Sequence, residues 1–374
     1  MFIAPRGVMA SPFSLTEIPM TASQSIYRQF PANEIFLNVF DDEKRLELPG
    51  MLLTGYADET NPAIPNRNDD YIFRKEVLRS VIAFLMRPNG DALFISGPTG
   101  SGKTSVVTEV AARLNWPVEQ ITLNGRFEFS QLKGQFVVAS PAPGEAPVMT
   151  FMYGPLAKAM KHGEILLLNE IDLADPAELA GLNDVLEGRP LVIPENGGEI
   201  IRPHPMFRVV ATANSFGNGD ATGLYQGVQQ QNLAALDRYR LLEVDYASPY
   251  AEETVLRKAL SKNIEPMIPL MVKLANDIRA LYKGDDDPMT RRLSVTMSTR
   301  TLIRWGKLAE VFRGAPNVMK FSLEQALLLR ADPADQQTIN ALGKAVFGAK
   351  WQRTPRKKKT SATTETEKAD EAAS

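Results

Sequence analysis

Residues 97–104 read Gly97-Pro98-Thr99-Gly100-Ser101-Gly102-Lys103-Thr104, with Ser105 next. The spacing is G-x-x-x-x-G-K-[ST], the pattern of a phosphate-cradling P-loop. Glycines let the backbone wrap so that its N–H groups converge on an anion. The lysine reaches the β- and γ-phosphates of a nucleotide, and the Thr104 hydroxyl can ligate Mg²⁺. A helix opening at such a loop turns its positive end toward the same anion. The surroundings agree with this reading. Ala92–Ser96 is a short apolar run, as a buried parallel strand should be. From Lys103 onward, Val106, Val107, Val110, Ala111 and Leu114 fall on one helical face. Strand, glycine loop and helix therefore follow in the required order.

The whole chain sets wider bounds. Its 374 residues suffice for two or three domains with a substantial core. It has no cysteine, which removes disulfides and thiolate chemistry. Its two histidines, His162 and His204, lie far apart in sequence and suggest no metal cluster. A net charge of −2 argues against a protein-wide grip on nucleic acid. No apolar run approaches the roughly 20 residues that cross a bilayer, and the first residues lack the hydrophobic core of a secretion signal. The expectation is a soluble, cytoplasmic protein.

Along the chain, residues 1–60 are interrupted by Pro5, Pro12, Pro19, Pro31 and Pro49 and form a separate N-terminal segment, with a short strand at 36–40. Residues 61–247 alternate apolar runs with helical patterns, which predicts an α/β domain with a parallel sheet. Helices are expected at 76–85, 155–161, 176–186 and 233–239, and strands at 118–123, 164–169, 208–212 and 241–244. Two β-hairpins are expected, at 136–151 with a proline-rich tip and at 191–202. The glycine-rich stretch 217–227 reads as a mobile loop. Residues 248–349 are helical in pattern, with Leu270, Met271, Leu274, Ile278 and Leu281 at helical spacing, and read as an all-helical second domain. Residues 350–374 lose apolar character and read as a disordered tail with a short basic run at 357–359.

Transfer of a phosphoryl group to water needs neutralised charge, a positioned water and a cation for the developing negative charge. The run Ile165–Asn169 followed by Glu170 resembles an apolar strand ending in Asp-Glu, the Walker B pattern. Glu170 stands where a carboxylate orients the attacking water. Asn169 stands where Asp is usual; an amide can still accept from a Mg²⁺-bound water but carries no charge, and Asp172 is near enough in sequence to compensate in part. Asn214 ends the run 209–214, where its amide can face the γ-phosphate. Arg238 and Arg240 follow the glycine-rich loop and a helix, and Arg300 opens a later helix, with Arg304 one turn on.

These stretches together resemble AAA+ ATPases of the MoxR branch, and within it the CobS-type ATPase subunit of aerobic cobaltochelatase. The resemblance is carried by Ala112-Arg-Leu-Asn-Trp-Pro117, Ile201-Arg-Pro-His-Pro-Met-Phe-Arg208, Ala211-Thr-Ala-Asn214, Gly219-Asp-Ala-Thr-Gly-Leu-Tyr225, Gln229-Gln-Gln-Asn232, Leu236-Asp-Arg238 and Ser298-Thr-Arg-Thr-Leu302. It implies a P-loop parallel-sheet sandwich with hairpin insertions and a helical lid. It further implies a homohexameric ring binding ATP and Mg²⁺ between subunits, and a partner carrying a von Willebrand factor A domain. It matches Lys103 and Thr104 to the P-loop, Glu170 to Walker B, Asn214 to sensor 1, Arg300 to sensor 2, and Arg238 to the arginine finger that enters a neighbour's site. The two hairpins match insertions facing pore and partner.

Several functions fit these residues. The first is an ATP-driven ring that remodels a protein partner. A narrower form is the ATPase subunit of a cobalt or other metal chelatase. Asn169 also admits a nucleotide-gated scaffold that hydrolyses little, and Lys357–Lys359 a nucleic-acid motor whose stimulation would vanish with salt.

Overall fold

The computed structural model of this chain describes residues 26–41, 43–140, 146–215, 233–284 and 292–351. The glycine-rich stretch 217–227, most of the proline-rich hairpin tip and the tail from 352 lie outside them.

Five parallel strands form the central sheet: β1 (Ala92–Ser96), β2 (Val118–Thr122), β3 (Ile165–Asn169), β4 (Arg208–Ala213) and β5 (Tyr239–Glu243). Their spatial order is β5-β1-β4-β3-β2. Every residue of β1, β3 and β4 is buried, whereas the edge strands β2 and β5 are partly exposed. Alternation along the strands sends side chains to two separate cores. Leu93, Ile95, Ile165, Leu167 and Val210 face one core, shared with helices α1 (Lys75–Met86) and α2 (Lys103–Arg113). Phe94, Leu166, Leu168, Val209 and Ala211 face the other, shared with α3 (Pro155–His162). This is an α/β fold of the expected class.

Residues 27–56 do not stand apart. Tyr27–Pro31 pairs antiparallel with Leu52–Tyr56, and Val39–Asp41 pairs with Lys44–Leu46 and Phe73–Arg74. Phe30, Phe36, Val39 and Leu53 join the α1/α2 core. The expected strand at 36–40 is shifted: a helical turn occupies Ala32–Ile35 and pairing begins at Val39. His204 serves local structure, its Nδ1 accepting the Met206 N–H at 3.1 Å.

Both hairpins form, Gly134–Ala139 with Val148–Tyr153 and Leu191–Ile193 with Glu199–Ile201. The helix expected at 176–186 is broken into two short helices, Pro176–Leu179 and Asn183–Leu186, joined by a 3-10 turn. The helix expected at 233–239 ends at Leu236, because Tyr239 is already paired with Ala92 in β5.

The C-terminal region is helical: α4 (Pro249–Ala259), α5 (Ile268–Lys283), α6 (Thr299–Val311), α7 (Val318–Ala326) and α8 (Pro333–Phe347) surround a core that includes Leu274, Ile278, Leu302, Trp305 and Trp351. Inside it, Arg279 of α5 forks onto Glu252 of α4 at 2.7 and 2.8 Å, with Glu252 fully buried. Thr299 donates to the same carboxylate at 2.6 Å, and Arg279 Nε to the Met297 carbonyl at 2.7 Å. The guanidinium also lies 4.0 Å over the Tyr246 ring. Removing one member of such a pair strands a buried charge, whereas replacing both with apolar groups does not. Arg279→Met should therefore destabilise the protein by about 3–5 kcal/mol in chemical denaturation, and Glu252→Met/Arg279→Met by clearly less.

Candidate functional site

The chain leaves β1 at Ser96 and turns into α2 through the glycine loop. Gly97, Gly100 and Gly102 all have positive φ, at 148°, 69° and 97°. Two of them also lack room for a side chain: a Cβ on Gly97 would stand 2.1 Å from the Val244 carbonyl oxygen, and one on Gly100 2.6 Å from Ser298 Cβ. The first contact fixes the loop to the end of β5, and the second brings the start of α6 against it. Ser298 caps α6 by accepting the Thr301 N–H at 3.1 Å. Arg300, the second residue of that helix, lies at the cleft beside the loop. Arg74 holds the loop from outside, donating to the Ser101 and Asp245 carbonyls at 3.2 and 2.5 Å, while the Tyr246 hydroxyl donates to the Thr99 carbonyl at 3.1 Å.

The cleft encloses about 300 Å³ and collects Thr99, Gly100, Gly102, Lys103, Thr104, Ser105, Asn169, Glu170, Asn214 and Arg300, together with Gln120, Thr122 and Thr212. Lys103 is buried, its ammonium donating to the Gly97 and Pro98 carbonyls at 2.6 and 3.0 Å and to Asn214 Oδ1 at 3.1 Å. Burial pushes the Lys103 ammonium down to about 8, against the opposing pull of Asp172 and Glu170 and with a smaller push from Arg300. All three of its donors are held by neutral oxygens, so an arriving phosphate competes with weak partners for a desolvated cation.

Asn169 ends β3, buried, with Oδ1 accepting the hydroxyls of Thr104 at 2.7 Å and Thr212 at 3.1 Å. Donating its proton to Asn169 leaves the Thr104 oxygen with lone pairs for a cation, the donor type Mg²⁺ selects. Glu170 follows in the left-handed region, φ 56°, and its side chain is exposed at the cleft. The chain then folds through a 3-10 turn, Ile171–Leu173, which buries Asp172 completely. Asp172 Oδ2 accepts the Asn214 backbone N–H at 2.8 Å.

Of the residues singled out from sequence, the loop residues, Asn169, Glu170, Asn214 and Arg300 come together. Arg238 and Arg240 do not join them. The Arg238 carbonyl accepts the N–H of Ala92, at the start of β1, whereas the loop leaves the end of that strand, roughly 16 Å away. Its guanidinium donates to Glu187 Oε1 at 3.0 Å. Arg240 lies within β5, 3.4 Å from Asp91. Sequence reasoning passed over Thr212 and Thr122, whose signal was their place toward the ends of strands, and Gln120, in the middle of β2, which gives no such signal. It also passed over Tyr246 and Ser298, whose contacts depend on how the helical region folds back.

Comparison with known proteins gives matching families for two parts of the chain. Residues 92–226 match the AAA domain (dynein-related subfamily), and residues 252–346 match the CbbQ/NirQ/NorQ C-terminal family. The aerobic cobaltochelatase subunit CobS of Sinorhizobium sp is 29% identical over 290 residues, covering 76% of this chain and 83% of that one. An uncharacterized protein of Staphylococcus saprophyticus is 31% identical over 216 residues, 58% of this chain and 78% of that one. A solved structure from Cytophaga hutchinsonii, presented as a candidate ATPase, is 17% identical with a TM-score of 0.39 over 71% of this chain and 87% of that one.

Gly100 offers a direct check on the loop. In Gly100→Ala the left-handed backbone costs about 1–2 kcal/mol, and the added methyl overlaps Ser298. Nucleotide affinity, read by titration of a fluorescent ATP analogue, should fall at least about tenfold, whereas Gly197→Ala, at a turn with open space around it, should leave affinity unchanged.

Proposed function

Because the chain belongs to the AAA+ ATPases of the MoxR type, we propose that it hydrolyses ATP in this cleft, as a ring whose sites are completed between subunits, and uses the turnover to remodel a protein partner. The observation that supports it most is the meeting of Lys103, Thr104, Asn169, Glu170 and Asn214 where β1, β3 and β4 end side by side.

In this reading the loop backbone and Lys103 take the β- and γ-phosphates, Lys103 exchanging its carbonyl partners for phosphoryl oxygens. Glu170, free of the sheet in its left-handed turn, orients and deprotonates the attacking water. Asn214, bound to Lys103, contacts the γ-phosphate, and Arg300 approaches from the start of α6. Thr104, and Asn169 through a bound water, would hold Mg²⁺, which supplies positive charge to the phosphoryl oxygens. Arg238 serves the neighbouring subunit's cleft, since its own lies beyond reach; to do so it must leave Glu187 or carry it along.

The likeness to a cobaltochelatase subunit supports a narrower form, in which the partner is the large subunit of a metal chelatase. A partner with a von Willebrand factor A domain fits either form. The exposed cross-strand pairs Val138–Met149 and Val192–Ile200 on the two hairpins are the surfaces assigned to partner contact. Asn169 supports a second reading, nucleotide-gated assembly with little hydrolysis.

Complementation separates these. Glu170→Gln and Arg238→Ala should each bind ATP yet lose about 100-fold or more in turnover. Mixing the two variants should restore activity, because some interfaces then join an intact Glu170 to an intact Arg238. Lys103→Ala should bind no nucleotide and fail to rescue Glu170→Gln, because both defects lie in the cleft itself, yet it should rescue Arg238→Ala by lending its intact Arg238. Normal turnover by Arg238→Ala would remove the shared site, and equal phosphate release by wild type and Glu170→Gln would leave only gated assembly.

A further inference from the structure

The geometry around Asn169 poses a question of charge. Its single amide oxygen is occupied by two hydroxyl donors, Thr104 and Thr212, and it brings no negative charge to the end of β3. Lining the same cleft, Lys103 carries a buried ammonium whose hydrogen bonds all end on neutral oxygens. A buried cation without a counter-charge is costly. Glu170 is exposed and faces the cleft, where phosphates will repel it. One carboxylate remains underneath. Asp172 is fully buried, returned beneath the end of β4 by the left-handed Glu170 and the 3-10 turn that follows.

Asn214 bridges the two buried charges. Its backbone N–H donates to Asp172 Oδ2 at 2.8 Å, and its side-chain oxygen accepts from Lys103 Nζ at 3.1 Å. We propose that Asp172 is a positioning residue that supplies, from beneath β4, the negative charge absent at position 169, and that it pins Asn214 to Lys103 in the same act. This rests on the ATP-binding reading of the cleft. Burial holds the Asp172 carboxyl above its ordinary value, and the backbone amides of Asn214, Asp172 itself and Ser215, with the nearby Lys103, offset part of that rise. Of the two acidic groups acting on Lys103, Asp172 is the stronger. The end of β3 thus keeps an amide oxygen bound to the Thr104 hydroxyl while the charge sits three residues further on, out of contact with solvent.

The test separates charge from shape. Asp172→Asn keeps an acceptor for the Asn214 N–H and removes only the charge; Asn169→Asp/Asp172→Asn returns a charge to the end of β3. Two quantities are measured on the full chain: steady-state ATP turnover, and the affinity for a fluorescent ATP analogue with Mg²⁺ or with EDTA. For Asp172→Asn, kcat should fall about 30-fold or more with KM within about threefold. The Mg²⁺ enhancement of affinity should shrink at least about fivefold. In the double variant both should return to within about threefold of wild type. A packing role alone would weaken binding equally with and without Mg²⁺, and the double variant would not recover. Asp172→Asn with unchanged turnover and unchanged Mg²⁺ enhancement would overturn the proposal. If wild type itself showed no turnover, the hydrolysis reading would fall, and the binding measurement would still decide the role of Asp172. If wild type bound no nucleotide, the reading of the cleft would fall first. Thermal unfolding of each variant confirms that the comparison is made on folded protein.

Discussion

The hydrogen-bond register of the parallel sheet is the constraint on which the site depends. Ser96 of β1 pairs with Ala213 of β4, and Leu168 of β3 with Ala211. Three strands that are separate in sequence therefore stop on one line. Each is buried on both faces and so is apolar through its middle, β4 alone opening on a charged residue, the buried Arg208. The polar residues they do carry toward that line, Ser96, Asn169 and Thr212, are all buried. Asn169 and Thr212 satisfy each other and Thr104. The chemistry sits where the strands cease to be core, and a shift of one residue in any strand would send its polar end into a hydrophobic face.

The helical region is bound to that line at several points. Ser298 crowds Gly100, Tyr246 bonds the Thr99 carbonyl, and Arg74 spans Ser101 and Asp245. Behind Tyr246 stands Arg279, itself anchored to Glu252. The start of α6, with its positive dipole end and Arg300, faces the cleft because these contacts hold it there. A change in lid position would stretch Tyr246–Thr99 and the Ser298 contact before any other, since both end on the phosphate loop itself.

Much of this was legible in sequence. The glycine loop, the five strands and both hairpins follow from period and turn chemistry, and the five strands place Lys103, Thr104, Asn169, Glu170 and Asn214 together once their order is known. Residues 27–56 were not legible, because their strands are three to five residues long and Tyr27–Pro31 finds its partner only at Leu52–Tyr56, with a second short hairpin in between. Asp172 was visible only as an acidic neighbour of Asn169. Its burial follows from the left-handed backbone at Glu170, a conformation that a glutamate does not announce. The helix at 233–239 was drawn too long because Tyr239 and Arg240 fit a helical face as well as they fit an edge strand.

The two hairpins raise the converse problem, apolar side chains that the fold leaves outside. A lone two-stranded ribbon is marginally stable, yet Val138, Met149, Val192 and Ile200 are each half exposed or more. The ribbons' inner faces are anchored in the core that holds α3, through Leu191, Ile193 and Ile201 of the second and Phe151 and Tyr153 of the first, and polar contacts join the two ribbons. Tyr153 of the first hairpin donates to Glu199 of the second at 2.7 Å, Lys161 of α3 joins both, and Lys133, just before the first, pairs with Glu195 of the second hairpin's turn. Phe136 and Phe151 pack edge to face on the first ribbon. The ribbons are thus fixed to each other and to α3, which packs against β3 and so against the strand that ends in Asn169 and Glu170. In the proposed reading, a movement coupled to Glu170 would reach the apolar pairs through β3 and α3. The remodelled partner is assigned to the hairpins, whose exposed apolar pairs stand apart from the apolar groove of about 630 Å³ beside Met51 and Met86.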